Sequence, residues 1–475
     1  MKTSIRCALT AIGLVLVITA ASRGEEGALS TMKRVHDPIQ VPGSLLADLL
    51  GSKLDSLLLF ASHHGTMEQI PFQVDERTVD GTFIFELGVG KNTELANHVL
   101  DPQDFLVFRI GDTGGRVAKS GWPTANGVEV ELEDPLDHGK SYCYLVRYQS
   151  DMPKRLREDT VVLENSDPWK SPELPFIVRG LSYKIEGLVN FLNGKYYKTA
   201  VNKTFMIPKS AGGAGVNILD GQKMRAFCEL LFGKIKVDAN EKNMIGGIDA
   251  TTNGDVRGYG RQWLTVALPM GLEAPRIYSD VFTYDRIIVS PMNLNIPFNP
   301  EHIITRAGIE FGYDLNQAGV GMRFYSPNCM DGVTIDGKMS EKEKAIKDDW
   351  VPWFLYTGPQ GSLIFRVNID PALMKQTVNK LTYIDDLGQS FPPEDLPGSL
   401  GYARTTMEIT AVKSGSYNFQ IEWYFPPNFY RPGGYDQQEL KDFLNIKDAP
   451  VLIHAGGKTV KNEALSPPPL MPKKK

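Results

Sequence analysis

Strict alternation of apolar and polar residues recurs along this chain. After Gly127, Val128, Val130 and Leu132 alternate with Glu129, Glu131 and Glu133. The same period returns at Leu363, Phe365, Val367 and Ile369, and at Phe419, Ile421, Trp423 and Phe425. Successive side chains of a strand point to opposite faces, so period two with one polar face predicts antiparallel sheet open to water on one side. Asx-Gly pairs punctuate the chain at Asp80-Gly81, Asn126-Gly127, Asn193-Gly194, Asp220-Gly221, Asn253-Gly254, Asp331-Gly332 and Asp336-Gly337. Each can supply the two positive-φ residues of a type I′ turn, whose twist matches paired strands. The clearest flanking runs are Ile70–Val74 with Thr82–Phe85, and Leu188–Leu192 with Lys195–Thr199. Helix signals are few: capping patterns at Ser340/Glu343 and Asp436/Glu439, and Asp370-Pro371. Strands and helices do not alternate, which argues against a parallel α/β sheet. The predicted fold class is mostly β: antiparallel β-sandwich domains, a small N-terminal sandwich plus a larger sandwich or supersandwich, with few short helices.

The start of the chain bears on compartment. Lys2 and Arg6 flank the start of an apolar stretch from Cys7 to Ala21, and Thr19-Ala20-Ala21-Ser22 offers small residues for cleavage. This predicts an export signal over residues 1–23. The stretch falls short of the roughly 20 apolar residues a spanning helix needs, and none later is longer. The expectation is a periplasmic or secreted chain with no transmembrane segment once mature. A net charge of −5 argues against a nucleic-acid partner, because neutralising phosphates needs a clustered basic surface. Cys143, Cys228 and Cys329 remain after cleavage; one disulfide with one thiol, or three buried thiols, both fit. A stretch with Pro153, Pro168, Pro172 and Pro175 predicts a linker over 151–175, between an N-terminal β unit at 28–150 and a larger one at 176–430. Over 431–475 a short helix and a lone strand-like run at Pro450 to His454 are expected, followed by a disordered tail, SPPPLMPKKK.

Several groups of residues bear on chemistry. The loop Asp249 to Asp255 places oxygen ligands at relative positions 1, 3, 5 and 7 with glycine at 6, so Asp249, Asn253 and Asp255 are candidate calcium ligands. The twelfth position is Gly260 instead of a bidentate glutamate, and an Asx-rich hairpin turn explains the loop equally. Asp101, Asp104 and Asp112 around the strand Phe105 to Ile110 read as turn residues or strand-end ligands. Asp75-Glu76-Arg77 reads as a surface charge group, since neighbours on a strand face opposite ways. Trp263, Trp350, Trp353 and Tyr356 are candidate ligand-stacking rings, near arginines and carboxylates that would hydrogen-bond a sugar. The same rings serve equally as core. No nucleophile elbow, phosphate loop, dinucleotide fingerprint or haem attachment motif is found.

The run Leu54-Asp55-Ser56-Leu57-Leu58-Leu59-Phe60, followed by Ile70-Pro71-Phe72-Gln73-Val74-Asp75-Glu76, resembles a pattern of exported bacterial β-rich proteins. It is similar to the N-terminal sandwich of some exported polysaccharide lyases. The resemblance implies an exported β protein that handles glycans in the envelope or outside the cell. No lyase catalytic residue maps onto the larger unit. The expected function is binding or processing of an envelope or extracellular polysaccharide; the alternative is a non-catalytic envelope scaffold that binds protein. Lyase chemistry would need a group that neutralises a uronate carboxylate, for which Arg257 is the candidate. It would also need a base, for which Tyr259 and His302 are candidates.

Overall fold

The computed structural model describes residues 28–466 apart from 165–175, 193–195, 231–232, 242–243, 267–275, 297–298, 300–303, 395 and 410–412. The expected export signal, the turn at Asn193-Gly194, His302 and the chain after Ser466 lie outside the described residues. The protein is built from antiparallel sheets, as the alternation predicts.

Four sheets stack face to face. The outermost has six strands in the order Thr66–Gln69, Leu57–His63, Lys140–Arg147, Gly127–Glu133, Leu452–Ala455 and Lys458–Lys461. Next comes a three-stranded sheet of Pro38–Pro42, Phe105–Arg109 and Gln73–Asp75. A 14-stranded sheet follows, and then a five-stranded sheet ordered Ile235–Ala239, Leu219–Leu230, Ile304–Leu315, Ser399–Ile409 and Thr377–Asp386.

Alternation assigns side chains to the layers between them. In the three-stranded sheet Ile39, Val41, Leu106 and Phe108 join Leu57, Leu59, Val130, Leu132 and Leu145 of the six-stranded sheet. Phe105 and Val107 point the other way, onto Tyr259, Phe282, Val289 and Tyr424 of the large sheet. The far face of the large sheet sets Phe354, Phe365, Ile421 and Trp423 against Phe311, Tyr313, Leu381 and Met407 of the five-stranded sheet. The strand Gly127–Glu133 keeps its glutamates half-buried and its aliphatics buried, as expected. Gly361–Ile369 differs: Leu363, Phe365 and Val367 enter one core while Ile364 enters the other, so both its faces are covered.

Several turn assignments change. Gln73–Asp75 pairs with Phe105–Arg109; the run at Thr82–Phe85 instead folds back on residues 76–78, through the Arg77–Phe83 bridge and the Thr78–Thr82 and Ile84–Glu76 backbone hydrogen bonds. Asp220-Gly221 is a bulge at the start of a long strand, and Asp331-Gly332 lies within the strand Cys329–Thr334. Asn253-Gly254 does join two paired strands, Met244–Thr252 and Gly258–Val266. All three helix signals are realised, at Glu341–Lys344 behind the Ser340/Glu343 capping box, at Pro371–Met374, and at Gln437–Asp448 capped by Asp436.

The expected helix and strand-like run near the end of the chain are both found, and both join the rest of the fold. Leu440, Phe443 and Ile446 of the last helix pack into the core between the three-stranded and large sheets. The chain then returns to the first unit, where Leu452–Ala455 pairs with Gly127–Glu133. Cys143, Cys228 and Cys329 are free thiols, the first and last buried. Among the described residues no helix is long and apolar enough to cross a membrane.

Candidate functional site

The residues singled out for chemistry do not gather in one place. Arg257 is fully buried. Its Nε donates to Asp75 Oδ2 at 2.6 Å, and its Nη1 donates to Gln40 Oε1 at 2.7 Å and to Tyr284 Oη at 2.9 Å. Burial alone would lower its pKa, but Asp75 and Tyr284 outweigh it and hold the guanidinium above its ordinary value. As placed, Arg257 has no surface to offer a uronate. Tyr259 is 3% exposed and donates its hydroxyl to the Ile84 carbonyl at 2.8 Å. Burial pushes its pKa well up, the reverse of what a base needs. His302 lies outside the described residues.

The aromatic candidates disperse. Tyr356 is fully buried, donating to the Gly401 carbonyl at 2.6 Å and accepting from the Ala403 amide at 3.2 Å. Trp350 packs on the core beneath the five-stranded sheet, whereas Trp353 packs on the core of the opposite face. Trp263 is 9% exposed, with the Arg276 guanidinium 3.9 Å above its ring. Asp249, Asn253 and Asp255 are not among the groups whose ligand atoms lie close enough to share an ion among the described residues. Asp249 sits in a strand beside Arg261, Trp263 and Arg276, Asn253 is exposed in the turn, and Asp255 lies 4.0 Å from Arg155. A strand separates side chains that a chelating loop would turn inward. Among the described residues the one group with three ligand atoms close enough for a metal is Glu131, Glu133 and His454. There the Lys140 ammonium already sits 2.6 Å from Glu131 and 3.3 Å from Glu133.

An open cleft forms instead at residues the sequence reading had set aside as a surface charge group. It encloses about 560 Å3, lined by Glu76, Arg77, Thr78, Val79, Asp80, Ile84, Leu95, Asn97 and Asp101. One wall is the reversal between Arg77 and Phe83; the other is the segment that follows the short turn Thr93–Leu95. The walls are tied together by polar contacts. Glu76 Oε1 accepts from the amides of Asn97 at 3.1 Å and His98 at 2.7 Å, and Asn97 Nδ2 donates to Asp101 Oδ2 at 2.7 Å. Behind the wall Asp104 is 1% exposed and accepts the amides of Arg77 and Asp101, each at 2.8 Å. Burial pushes its pKa up to about 6. Val79 and Leu95 are exposed aliphatics at the rim. The result is aliphatic surface framed by carboxylates and an amide, a lining that binds ligands carrying both C–H faces and hydrogen-bonding groups. In sequence, Asp101 and Asp104 were visible only as acids flanking the strand Phe105 to Ile110; their convergence with Glu76-Arg77 depends on the pairing of Gln73–Asp75 with Phe105–Arg109.

No protein-family model matches this chain, and no curated protein matches it. Solved structures do show similarity. An alpha-mannosidase from Enterococcus faecalis V583 is 8% identical with a TM-score of 0.41, over 91% of this chain and 46% of that one. A protein of glycosyl hydrolase family 38 from Enterococcus faecalis is 8% identical with a TM-score of 0.43, over 93% of this chain and 48% of that one. A 4-alpha-glucanotransferase from Thermococcus litoralis is 9% identical with a TM-score of 0.29, over 54% and 38%. The chain thus spans about half the length of the first two proteins it is similar to.

Proposed function

We propose that this is an exported saccharide-binding protein whose ligand occupies the cleft between Glu76 and Asp101. The observation that carries this reading is the open volume of about 560 Å3, whose mainly aliphatic lining is framed by a few polar groups. A pyranose presents C–H patches and hydroxyls in alternation. Ile84, Leu95 and Val79 supply contact for the first, and Asn97, Asp101 and Glu76 supply acceptors and a donor for the second. Of the residues named for processing, Arg257 and Tyr259 are engaged in interior contacts, and His302 lies outside the described residues.

Screening the mature protein on a glycan array, followed by calorimetric titration of the best binder, tests the reading. Asn97→Ala removes a polar contact at the centre of the wall and should weaken binding about five- to tenfold, as losing one net hydrogen bond does. Leu95→Asp should weaken it further by removing apolar contact. A chain that binds no glycan, or that binds one equally well in both variants, would refute the proposal.

A second reading, a non-catalytic envelope scaffold that binds protein, is supported by the dispersal of Trp350, Trp353 and Tyr356 into separate cores. It gains ground if crosslinking in whole cells captures a defined envelope protein and the cleft variants leave that capture intact.

A further inference from the structure

Strand register brings three metal-ligating side chains together at the seam between the first unit and the end of the chain. Glu131 and Glu133 stand two residues apart on Gly127–Glu133 and so share a face. His454 lies directly opposite Glu131 on Leu452–Ala455, and Lys140 lies directly opposite Glu133 on Lys140–Arg147. One ligand atom from each of Glu131, Glu133 and His454 falls within 4.8 Å of the other two.

The imidazole is oriented as a ligand. His454 Nδ1 lies 2.8 Å from the Thr459 hydroxyl on the next strand, Lys458–Lys461. A partner at one ring nitrogen fixes the ring and leaves the other nitrogen to a metal, the usual arrangement at metal-binding histidines. That other nitrogen, Nε2, is shut off from water and has no hydrogen-bond partner. It faces Glu133 Oε2 at 3.5 Å. Ligand atoms around a tetrahedral zinc, each about 2.0–2.1 Å from the ion, stand about 3.3 Å apart. A cation between nitrogen and oxygen satisfies both, whereas a lone pair facing a carboxylate satisfies neither. The oxygens of Glu133 divide their work: His138 Nδ1 lies 2.9 Å from Oε1, which leaves Oε2 to the seam.

A cation is already drawn to this point. The Lys140 ammonium lies 2.6 Å from Glu131 Oε1 and 3.3 Å from Glu133 Oε2. Its side chain is 40% exposed, so the ammonium can swing out into water, and ion pairs near solvent hold weakly. Lys140 is thus a placeholder that a divalent ion displaces. An imidazole in the set favours zinc over calcium or magnesium, which take oxygen ligands. Water completes the coordination.

We propose that Glu131, Glu133 and His454 form a zinc site that clasps the last strands of the chain to the first unit. The site shares no residue with the cleft and is independent of the saccharide reading.

The mature protein, stripped with a chelator, is titrated with zinc chloride by calorimetry at neutral pH, with calcium chloride as the control. One zinc should bind per chain, calcium should give no comparable binding, and zinc should slow hydrogen exchange at the amides of Leu452–Ala455. Thr459→Val should weaken zinc binding about tenfold, as loss of a partner behind a metal ligand does, and His454→Ala should weaken it more. Lys140→Met should bind zinc more tightly than the parent, a gain that poor folding does not produce. A chain that takes up no zinc, or takes up calcium equally well, overturns the proposal. Zinc binding that survives His454→Ala unchanged puts the ion elsewhere and overturns it too. Lys140→Met binding no tighter than the parent does the same, by showing that the ammonium does not hold the metal's place.

Discussion

Arg257 is an arginine in a glycine-rich, polar loop, and on sequence grounds it looks available to a ligand. Its neighbours decide otherwise. Gln73 Oε1 accepts the amides of Val256 at 2.7 Å and Arg257 at 2.8 Å, which draws the loop down onto the three-stranded sheet. The guanidinium then reaches Asp75 and Gln40 of that sheet, and through Tyr284 Oη, which donates to the Ala464 carbonyl at 2.8 Å, the end of the chain. Removing one partner of such a pair leaves a charge buried without compensation, which costs about 3–5 kcal/mol. Arg257→Met should therefore lower the unfolding free energy read from urea denaturation by that much. Arg257→Met/Asp75→Leu should recover most of the loss, since neither charge then remains. An Arg257→Met variant as stable as the parent would show that the guanidinium is not the clamp described. What hid this role from the sequence is that Asp75 and Arg257 are far apart in the chain, and nothing local distinguishes a buried arginine from an exposed one.

At the scale of elements, the legible features were those with a local physical cause. The strand Gly127–Glu133 was readable because water on one face demands glutamate at every second position. The helix behind Asp436 was readable because its cap and apolar stripe are both local. Turns were harder. Among the described residues, the two-residue reversals with positive φ throughout are His64-Gly65 and Gly456-Gly457, neither an Asx-Gly pair. Asp331-Gly332 has the right residues yet serves inside a strand, because a positive φ suits a bulge as well as a turn. The strap from Ser390 to Glu394 carried no signal at all; local contacts such as the Phe391 amide on Glu394 shape it, and distant groups anchor it. Lys223, 1% exposed, donates to the carbonyls of Phe391 at 3.3 Å and Pro393 at 2.9 Å. Arg225 donates to the Phe391 carbonyl, and the Phe391 ring lies 5.4 Å from that of Tyr402.

Beside this strap Asp314 accepts the Leu400 amide at 2.9 Å and lies 4.0 Å from the Lys223 ammonium. Burial, which outweighs Lys223, pushes its pKa up to about 7, with Asp220 and Glu394 adding to the rise. A carboxyl that holds its proton more tightly when buried favours the closed state at low pH. That stability is present below the ordinary value of 3.8 and is lost as pH rises towards 7, after which it levels off. The protection factor of the Leu400 amide, read by hydrogen exchange, should fall between pH 4 and 7 and change little above. Asp314→Asn should flatten the curve. A protection factor that rises over this range would contradict the assignment.

On the scale of the whole molecule, the stack of four sheets is closed by a segment from the far end of the chain. Val451 and Ile453, both fully buried, fill the core between the six- and three-stranded sheets. The strand Leu452–Ala455 covers the edge of Gly127–Glu133 that Lys140–Arg147 leaves open. Asn462 adds a polar lock, donating to the Pro38 carbonyl at 2.8 Å and accepting the Gln40 amide at 3.1 Å. The first unit is therefore completed by the last strands, and its core cannot close on residues 28–150 alone. The two branched side chains contribute about 3–6 kcal/mol by burial, against a typical whole-protein stability of about 5–15 kcal/mol. A chain ending at Ala449 should thus lose the cooperative melting of its N-terminal unit and expose a strand edge prone to association. Ile453→Ala, which keeps the strand and removes part of its packing, should cost about 2–5 kcal/mol and leave a single transition. Calorimetry of both variants separates the contributions of edge and core. A truncated chain that melts as sharply and at the same temperature as the parent would mean that the first unit closes without its final strands.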